Sequence, residues 1–209
     1  MRLERLKCCD CDIFRQAYDL YKTSFPVEER RDDAGQRVVL ENDAYHFDVI
    51  KEKDDFIGIM LYWVVNDLIY LEHFAIRSDL RNKGFGTVAL DLLKEKGKTI
   101  LLEIEPPVGD ITVRRYEFYK RNGFVMNSFY HIQTKYHLGD ADLELKILSY
   151  PRVLKKDEYL AFYEYMTREI GIQPSVSGEV TIRALKDTDD LSQVAKLIYM
   201  TDPYIYPGW

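Results

Sequence analysis

The chain has 209 residues, 46% hydrophobic and 31% charged, the mix of a globular protein with enough apolar residues for a packed core. Its 29 Lys+Arg against 35 Asp+Glu give a net charge of −6, which does not draw phosphate backbones over long range, so no nucleic-acid partner is expected. No apolar run approaches the ~20 residues of a membrane span, and MRLERLKCCDCD has no apolar stretch after its charges. Neither a membrane partner nor a signal peptide is expected, and the expected location is cytoplasmic.

Met1–Leu6 reads as a short strand. Cys8, Cys9 and Cys11 follow, an odd and clustered set that argues against a disulfide framework. Cys8 and Cys11 have C-x-x-C spacing, but no second pair closes a four-ligand metal site and no thioredoxin-like pattern surrounds them. Ordinary thiols near a strand-to-helix turn, and no metal, are the expectation. Asp12–Thr23 predicts a helix with Ile13, Ala17, Leu20 and Tyr21 on one face. Pro26 opens the polar stretch PVEERRDDAG, a loop or short helix. Ala44–Ile50 and Phe56–Val65 are strand-like and joined through a Lys51–Asp55 turn; a third strand, Leu68–Ile76, follows Asn66-Asp67.

From Phe85 the apolar residues fall at Phe85, Val88, Ala89, Leu92 and Leu93, the i, i+3, i+4, i+7, i+8 pattern of an amphipathic helix, which Gly97 ends. Thr99–Ile104 is a buried-type strand stopped by Pro106-Pro107. Asp110–Asn122 reads as a helix with Asp110 at its N-cap and Gly123 as its stop. Phe124–Gln133 and Leu143–Tyr150 read as two more strands. Hairpins first, then strand–helix–strand–helix–strand, predict an α/β class with a mixed sheet.

Pro151 closes this first domain, residues 1–150. Residues 151–177 hold an accessory helix, Asp157–Ile170, and the linker-like GIQPSVSG. Tyr159, Phe162, Tyr163, Met166 and Ile170 share one face of that helix and are expected to pack on the domain rather than form a binding groove. Residues 178–209 echo the start: Leu185, Lys186 and Asp189 match Leu6, Lys7 and Asp10, and Ala195, Tyr199 and Thr201 match Ala17, Tyr21 and Thr23. The expectation is a second, incomplete copy within a longer parent protein.

Arg81-Asn82-Lys83-Gly84-Phe85-Gly86 sits between a strand and the start of the clearest helix. The first helical N–H groups lack intrahelical partners and carry partial positive charge. Glycines let the backbone approach an anion closely, and Arg81 and Lys83 add full charge, a design suited to a diphosphate. The same residues, as Gly84-Phe85-Gly86-Thr87-Val88-Ala89, also fit a dinucleotide-binding pattern with Glu103 and Glu105 about 20 residues on. Against that alternative, RSDLRNK intervenes between strand and glycines, and paired strands follow Gly123 where further parallel units belong.

R-N-K-G-F-G resembles the signature R/Q-x-x-G-x-G/A of the GNAT N-acetyltransferase superfamily, and FYKRNGF is similar to that family's Y-x-x-x-G-F segment. The resemblance covers about Met1–Tyr150, and the echo at 178–209 fits the first half of a tandem protein of this type. It implies an acyl-CoA N-acyltransferase-like fold with a C-terminal helical extension, and acetyl-CoA as co-substrate. The amides of Arg81, Asn82, Lys83, Gly84, Phe85 and Gly86 would hold its pyrophosphate, and Phe74, Ala75 and Ile76 would pair with its pantetheine arm.

Acetyl transfer to an amine must remove a proton from an alkylammonium of pKa about 10.4, polarise the thioester and protonate the departing thiolate. No G-x-S-x-G nucleophile is present, so direct attack in a ternary complex is expected. Glu72, which interrupts the apolar strand IYLEHFAI, is the candidate base, with a salt bridge to Arg77 or a lysine as its competing role. Tyr119, the tyrosine of the Y-x-x-x-G-F segment, is the candidate acid, with Tyr116 in reserve. Glu103 and Glu105 alternate along one strand face and are candidates for binding a cationic amine, or a solvated strand end. His73 is expected on the opposite side of its strand from Glu72, in a structural role. The acceptor, a small molecule or a protein amine, is not encoded legibly in Phe25–Gln36. A homodimer is compatible with the sequence, and the alternative of another class is a non-catalytic CoA- or ligand-binding regulatory module.

Overall fold

The computed structural model describes residues 1–133, 136 and 143–169. Its strands are β1 (Arg2–Arg5), β2 (Tyr45–Glu52), β3 (Asp55–Val65), β4 (Leu68–Ile76), β5 (Thr99–Ile104), β6 (Val125–Met126), β7 (His131–Ile132) and β8 (Glu144–Tyr150). The helices are α1 (Asp12–Ser24), α2 (Asp33–Val39), α3 (Phe85–Lys94), α4 (Asp110–Arg121) and α5 (Lys156–Glu169). The sheet runs in the order β1-β2-β3-β4-β5-β8-β6, with β7 also on β8. Among the described strands only β4 and β5 pair in parallel; every other pairing is antiparallel. This is the mixed α/β architecture expected, and the described residues hold none of the further parallel units a dinucleotide fold requires.

Alternation along the strands makes both sheet faces apolar. Ile59, Leu61 and Trp63 of β3 pack with Phe14, Ala17, Tyr18 and Tyr21 of α1 and with Tyr159, Phe162 and Met166 of α5. On the other face, Met60 and Tyr62 pack with Ala89, Leu90 and Leu93 of α3 and Tyr119 of α4. Within α1 the buried stripe is Phe14, Ala17, Tyr18 and Tyr21, one step around from the expected Ile13 and Leu20. Tyr18 fits because its hydroxyl donates to Asp33 at 2.6 Å. The accessory helix packs on the domain as expected, while Ile170 and the echo at 178–209 lie outside the described residues.

Three local expectations are corrected. Cys8 and Cys11 form a disulfide and Cys9 is free: the turn into α1 brings the paired Cα atoms to 6.2 Å, within bridging range. Gly109, not Asp110, is the α4 N-cap, with its N–H donating to Thr112 Oγ1 at 3.0 Å. The stretch 124–133 is not one strand, because Val125 and Met126 pair with one end of β8 and His131 and Ile132 with the other. No described helix is long and apolar enough to cross a membrane.

Leu90 is fully buried on the α3 face that packs against the sheet. Leu90→Ala is expected to lower unfolding free energy by about 2–5 kcal/mol in urea titrations, through lost burial plus a residual cavity.

Candidate active site

β4 and β5 are paired only from Leu68↔Thr99 to Leu71↔Leu102. Beyond that point β4 continues to Ile76 on β3, while β5 continues to Ile104 on β8, so the strands diverge and leave facing main-chain edges unpaired with each other. The gap is a cleft of about 450 Å³. It gathers Glu72, Phe74, Ala75, Ile76, Arg81, Glu103, Glu105 and Tyr119 from the residues singled out in the sequence.

The other singled-out residues form the adjoining turn. Arg81, Asn82, Lys83 and Gly84 are exposed at the start of α3. Gly84 is the N-cap at φ 83°, a left-handed conformation that glycine adopts without penalty, and a Cβ there would project into open space. A Cβ on Gly86 would come within 3.1 Å of the Phe118 ring, so this glycine lets α3 close on α4. Asn82 shares the left-handed conformation at φ 62°. The turn thus offers the open helix start, positive charge and missing Cβ atoms that a diphosphate requires. Arg81 folds toward the cleft, its Nε donating to the Ile76 carbonyl at 3.1 Å.

Glu72 does not stand as a free base. The register passes from Leu61↔His73 to Tyr62↔Leu71, leaving Glu72 as an extra residue, a β-bulge. Leu71 and Phe74 therefore share one sheet face, while Glu72 and His73 both turn to the other, which corrects the expectation that they point apart. The Glu72 carboxylate accepts from Arg31 Nη1 at 2.9 Å and Nη2 at 2.7 Å, from Tyr136 Oη at 2.7 Å and from Trp63 Nε1 at 3.3 Å. Its side chain is 1% exposed, so what remains open of this half-buried residue is main chain. Burial alone would push the carboxyl up, but the Arg31 guanidinium and neighbouring His73 hold it well below the usual carboxylate range. A carboxylate so saturated has little basicity left. The salt-bridge partner is Arg31, not Arg77 or a lysine; Arg77 pairs with Asp79 at 2.8 Å.

Glu103 is likewise engaged and buried, whereas Glu105 is engaged but stays open to solvent. Glu103 accepts from Tyr70 Oη at 2.9 Å and lies 2.5 Å from His131 Nε2. Glu105 pairs with Arg115. Tyr119 lines the cleft from α4; burial pushes its phenol up to about 12, with Arg115 opposing in part. Its hydroxyl makes no hydrogen bond among the described residues, which leaves it available to a ligand atom. Sequence reading missed Arg31, Tyr136 and His131. Each acts through a contact 28 or more residues distant in the chain, and only Arg31 lay in a stretch already suspected of shaping the site.

The Acetyltransferase (GNAT) family matches residues 14–124. A solved structure of a GNAT-family protein from Bacteroides thetaiotaomicron is 30% identical and superposes with a TM-score of 0.77, covering 83% of this chain and 100% of that one. The chain belongs to the GNAT acetyltransferase family. YjbC of Bacillus subtilis (strain 168), whose name places it among acetyltransferases, is 32% identical over 111 residues. That match covers 51% of this chain and 55% of YjbC, so it spans about half the length of this curated relative. An aminoglycoside 6'-N-acetyltransferase complexed with coenzyme A shares the fold at a TM-score of 0.50 and 16% identity, covering 71% of this chain and 96% of that one. In this GNAT chain most of the cleft lining lies inside the matched segment, while Gln133, Tyr136 and Leu145 close it from beyond residue 124.

Removing one partner of a buried ion pair leaves an uncompensated charge, so Arg31→Met is expected to cost about 3–5 kcal/mol at pH 7 by urea denaturation. The folded-state pKa of Glu72 is depressed, so its stabilisation is present above the unfolded value of about 4.3 and lost as pH falls below it. The gap between variant and wild type should therefore narrow on acidification through that region.

Proposed function

We propose that this chain transfers an acetyl group from acetyl-CoA to a primary amine of a small molecule or protein, by direct attack with both substrates bound. One observation carries the reading: the divergence of β4 and β5 beyond Leu71 and Leu102 opens a cleft lined by Arg81, at the head of the 81–86 turn, and by Tyr119. An amide-bearing arm can satisfy the exposed edge of Phe74, Ala75 and Ile76 as an added strand would. The amides of residues 81–86, with Arg81 and Lys83, would take the diphosphate. Acetyl-CoA supplies the activated acetyl thioester; the chain's part is to hold it, orient it and manage protons.

Tyr119 is suited to protonating the departing thiolate. A phenol pushed up to about 12 stays protonated at neutral pH and can hydrogen-bond a sulfur as charge develops there. Glu103 and Glu105 line the cleft with Tyr119, and their carboxylate oxygens, held by Tyr70, His131 and Arg115, offer acceptors to the N–H groups of an amine. The ion pairing of Glu72 favours the alternative of a non-catalytic CoA-binding module. The cleft with an unengaged phenol favours catalysis, because a module that only gripped coenzyme would have no use for a polar group beyond the arm.

Calorimetry with CoA tests the reading directly: the wild type is expected to bind, and a wild type that does not bind ends the proposal. Gly84→Ala places a Cβ in the open space of the turn at a positive φ and is expected to weaken CoA binding about tenfold or more. With an acceptor identified by screening amine classes, Tyr119→Phe should slow the chemical step in single-turnover assays by about 10²-fold while CoA affinity stays unchanged. Unslowed chemistry would remove Tyr119 from the mechanism.

A further inference from the structure

Within the acetyl-transfer reading of the cleft, on which this inference rests, the amine still lacks a group to take its proton. Glu72 is locked to Arg31, Glu103 to Tyr70 and His131, and Glu105 to Arg115. Among the described residues, Glu29 is the cleft-lining carboxylate with no hydrogen bond or ion pair to its side chain. We propose that Glu29 is the catalytic base, receiving the proton of a cationic primary alkylamine that enters the cleft between the segment before α2 and the end of β5.

Glu29 is held in place by the groups that disqualify Glu72. It ends a 3₁₀ turn, Val27–Glu29, whose exit is pinned to β4 twice. The Glu29 carbonyl accepts from His73 Nε2 at 2.7 Å, and Arg31, two residues on, is clamped to Glu72 while its N–H donates to Tyr21 Oη at 3.0 Å. Because a carbonyl only accepts, Nε2 of His73 carries the proton, which fixes the ring and with it the main chain of Glu29. Glu72 is thus a positioning residue: it anchors the segment that presents Glu29.

The charges around Glu29 suit proton uptake. Burial and the charge of Glu105 push its carboxyl up, with Glu28 adding to this from its own turn, while His73 of β4 and Arg115 of α4 oppose. The partial burial that raises the carboxylate also lowers the pKa of an entering ammonium, bringing the two closer. In the step itself Glu29 takes one proton from the ammonium, freeing the nitrogen lone pair. The C–N bond forms, the C–S bond breaks, and the electron pair leaves on sulfur. Tyr119 gives sulfur its proton and is replenished by the second proton shed by nitrogen, while Glu29 returns its proton to solvent. The products are an N-alkylacetamide, the free thiol and one proton.

Two measurements test the assignment. In the first, thiol release from acetyl-CoA is followed for wild type and Glu29→Gln with n-butylamine, cationic at pH 7, and with aniline, neutral at pH 7. The expected result is a fall of about 10²-fold with n-butylamine, little change with aniline, and unchanged CoA affinity. Equal effects on both amines, or none, overturn the proposal. In the second, which needs no acceptor, the Glu29 carboxyl carbon is titrated by NMR in the wild type and in Glu105→Gln. A midpoint above the usual glutamate value of about 4.3 that drops in Glu105→Gln supports the assignment; an ordinary midpoint overturns it, and this arm decides if neither amine is turned over. A wild type that fails to bind CoA sinks the acetyl-transfer reading itself, whereas CoA binding with an ordinary Glu29 sinks this assignment alone.

Discussion

One inserted residue in β4 turns Glu72 and His73 to the same side of the sheet, and one wall of the cleft is organised around that displacement. Without the bulge, strict alternation would send one of the two toward α3 and α4. With it, the Glu72 carboxylate meets Arg31 inside a cage in which Tyr136, Tyr45 and Trp63 lie 5.2, 5.5 and 5.7 Å from the guanidinium. Desolvating two charges costs several kcal/mol each, and the attraction returns this only when geometry and extra hydrogen bonds are good. Here the pairing is bidentate and Tyr136 and Trp63 supply further donors to the carboxylate. Such a pair is better understood as fixing conformation than as adding stability: it accepts one position for the segment between α1 and α2 and penalises the others.

The opposite wall follows the same logic with different residues. Glu103, on β5, meets Nε2 of His131 of β7 at 2.5 Å, and Nδ1 of that histidine faces Tyr159 Oη of α5 at 3.1 Å. Tyr159 donates onward to the Tyr130 carbonyl at 3.0 Å, so the histidine's Nδ1 is the donor toward Tyr159. The Nε2–Glu103 contact makes this a second buried pairing of an imidazole and a carboxylate. It ties α5 to the strand that forms one side of the cleft, so the helix beyond Tyr150 contributes to the shape of the site and not only to the core.

What was legible in the sequence was whatever repeats with a period or carries a fixed chemical demand. The amphipathic run from Phe85 announced α3, and the glycines before it announced the turn, because Gly84 adopts a conformation other residues resist. Helix α1 was legible as a helix but not in its face. Ile13, Ala17, Leu20 and Tyr21 satisfy helical spacing as well as Phe14, Ala17, Tyr18 and Tyr21 do, and the choice falls to a hydroxyl that finds Asp33 across the fold. The bulge was not legible, since a period of two cannot show where one residue is extra. Arg31 was hidden among the charges of EERRDD, where a solvated run and a buried guanidinium look alike until the partner's position is known.

The expectation of Glu72 as base and its pairing with Arg31 pull apart for a related reason. An acid interrupting an apolar strand signals that the carboxylate has a specific environment, but burial and pairing act in opposite directions on its basicity, and the sequence reveals only the burial. Once Arg31 is seen, the same signal identifies an anchor. Glu72, Glu103 and Glu105 are each engaged by a group from elsewhere in the chain, so the cleft presents mostly fixed dipoles, the setting in which one unpaired carboxylate weighs most on an entering charge. Glu29 occupies that place because the segment carrying it is held from both sides of the turn: by His73 through its own carbonyl, and by Glu72 through Arg31.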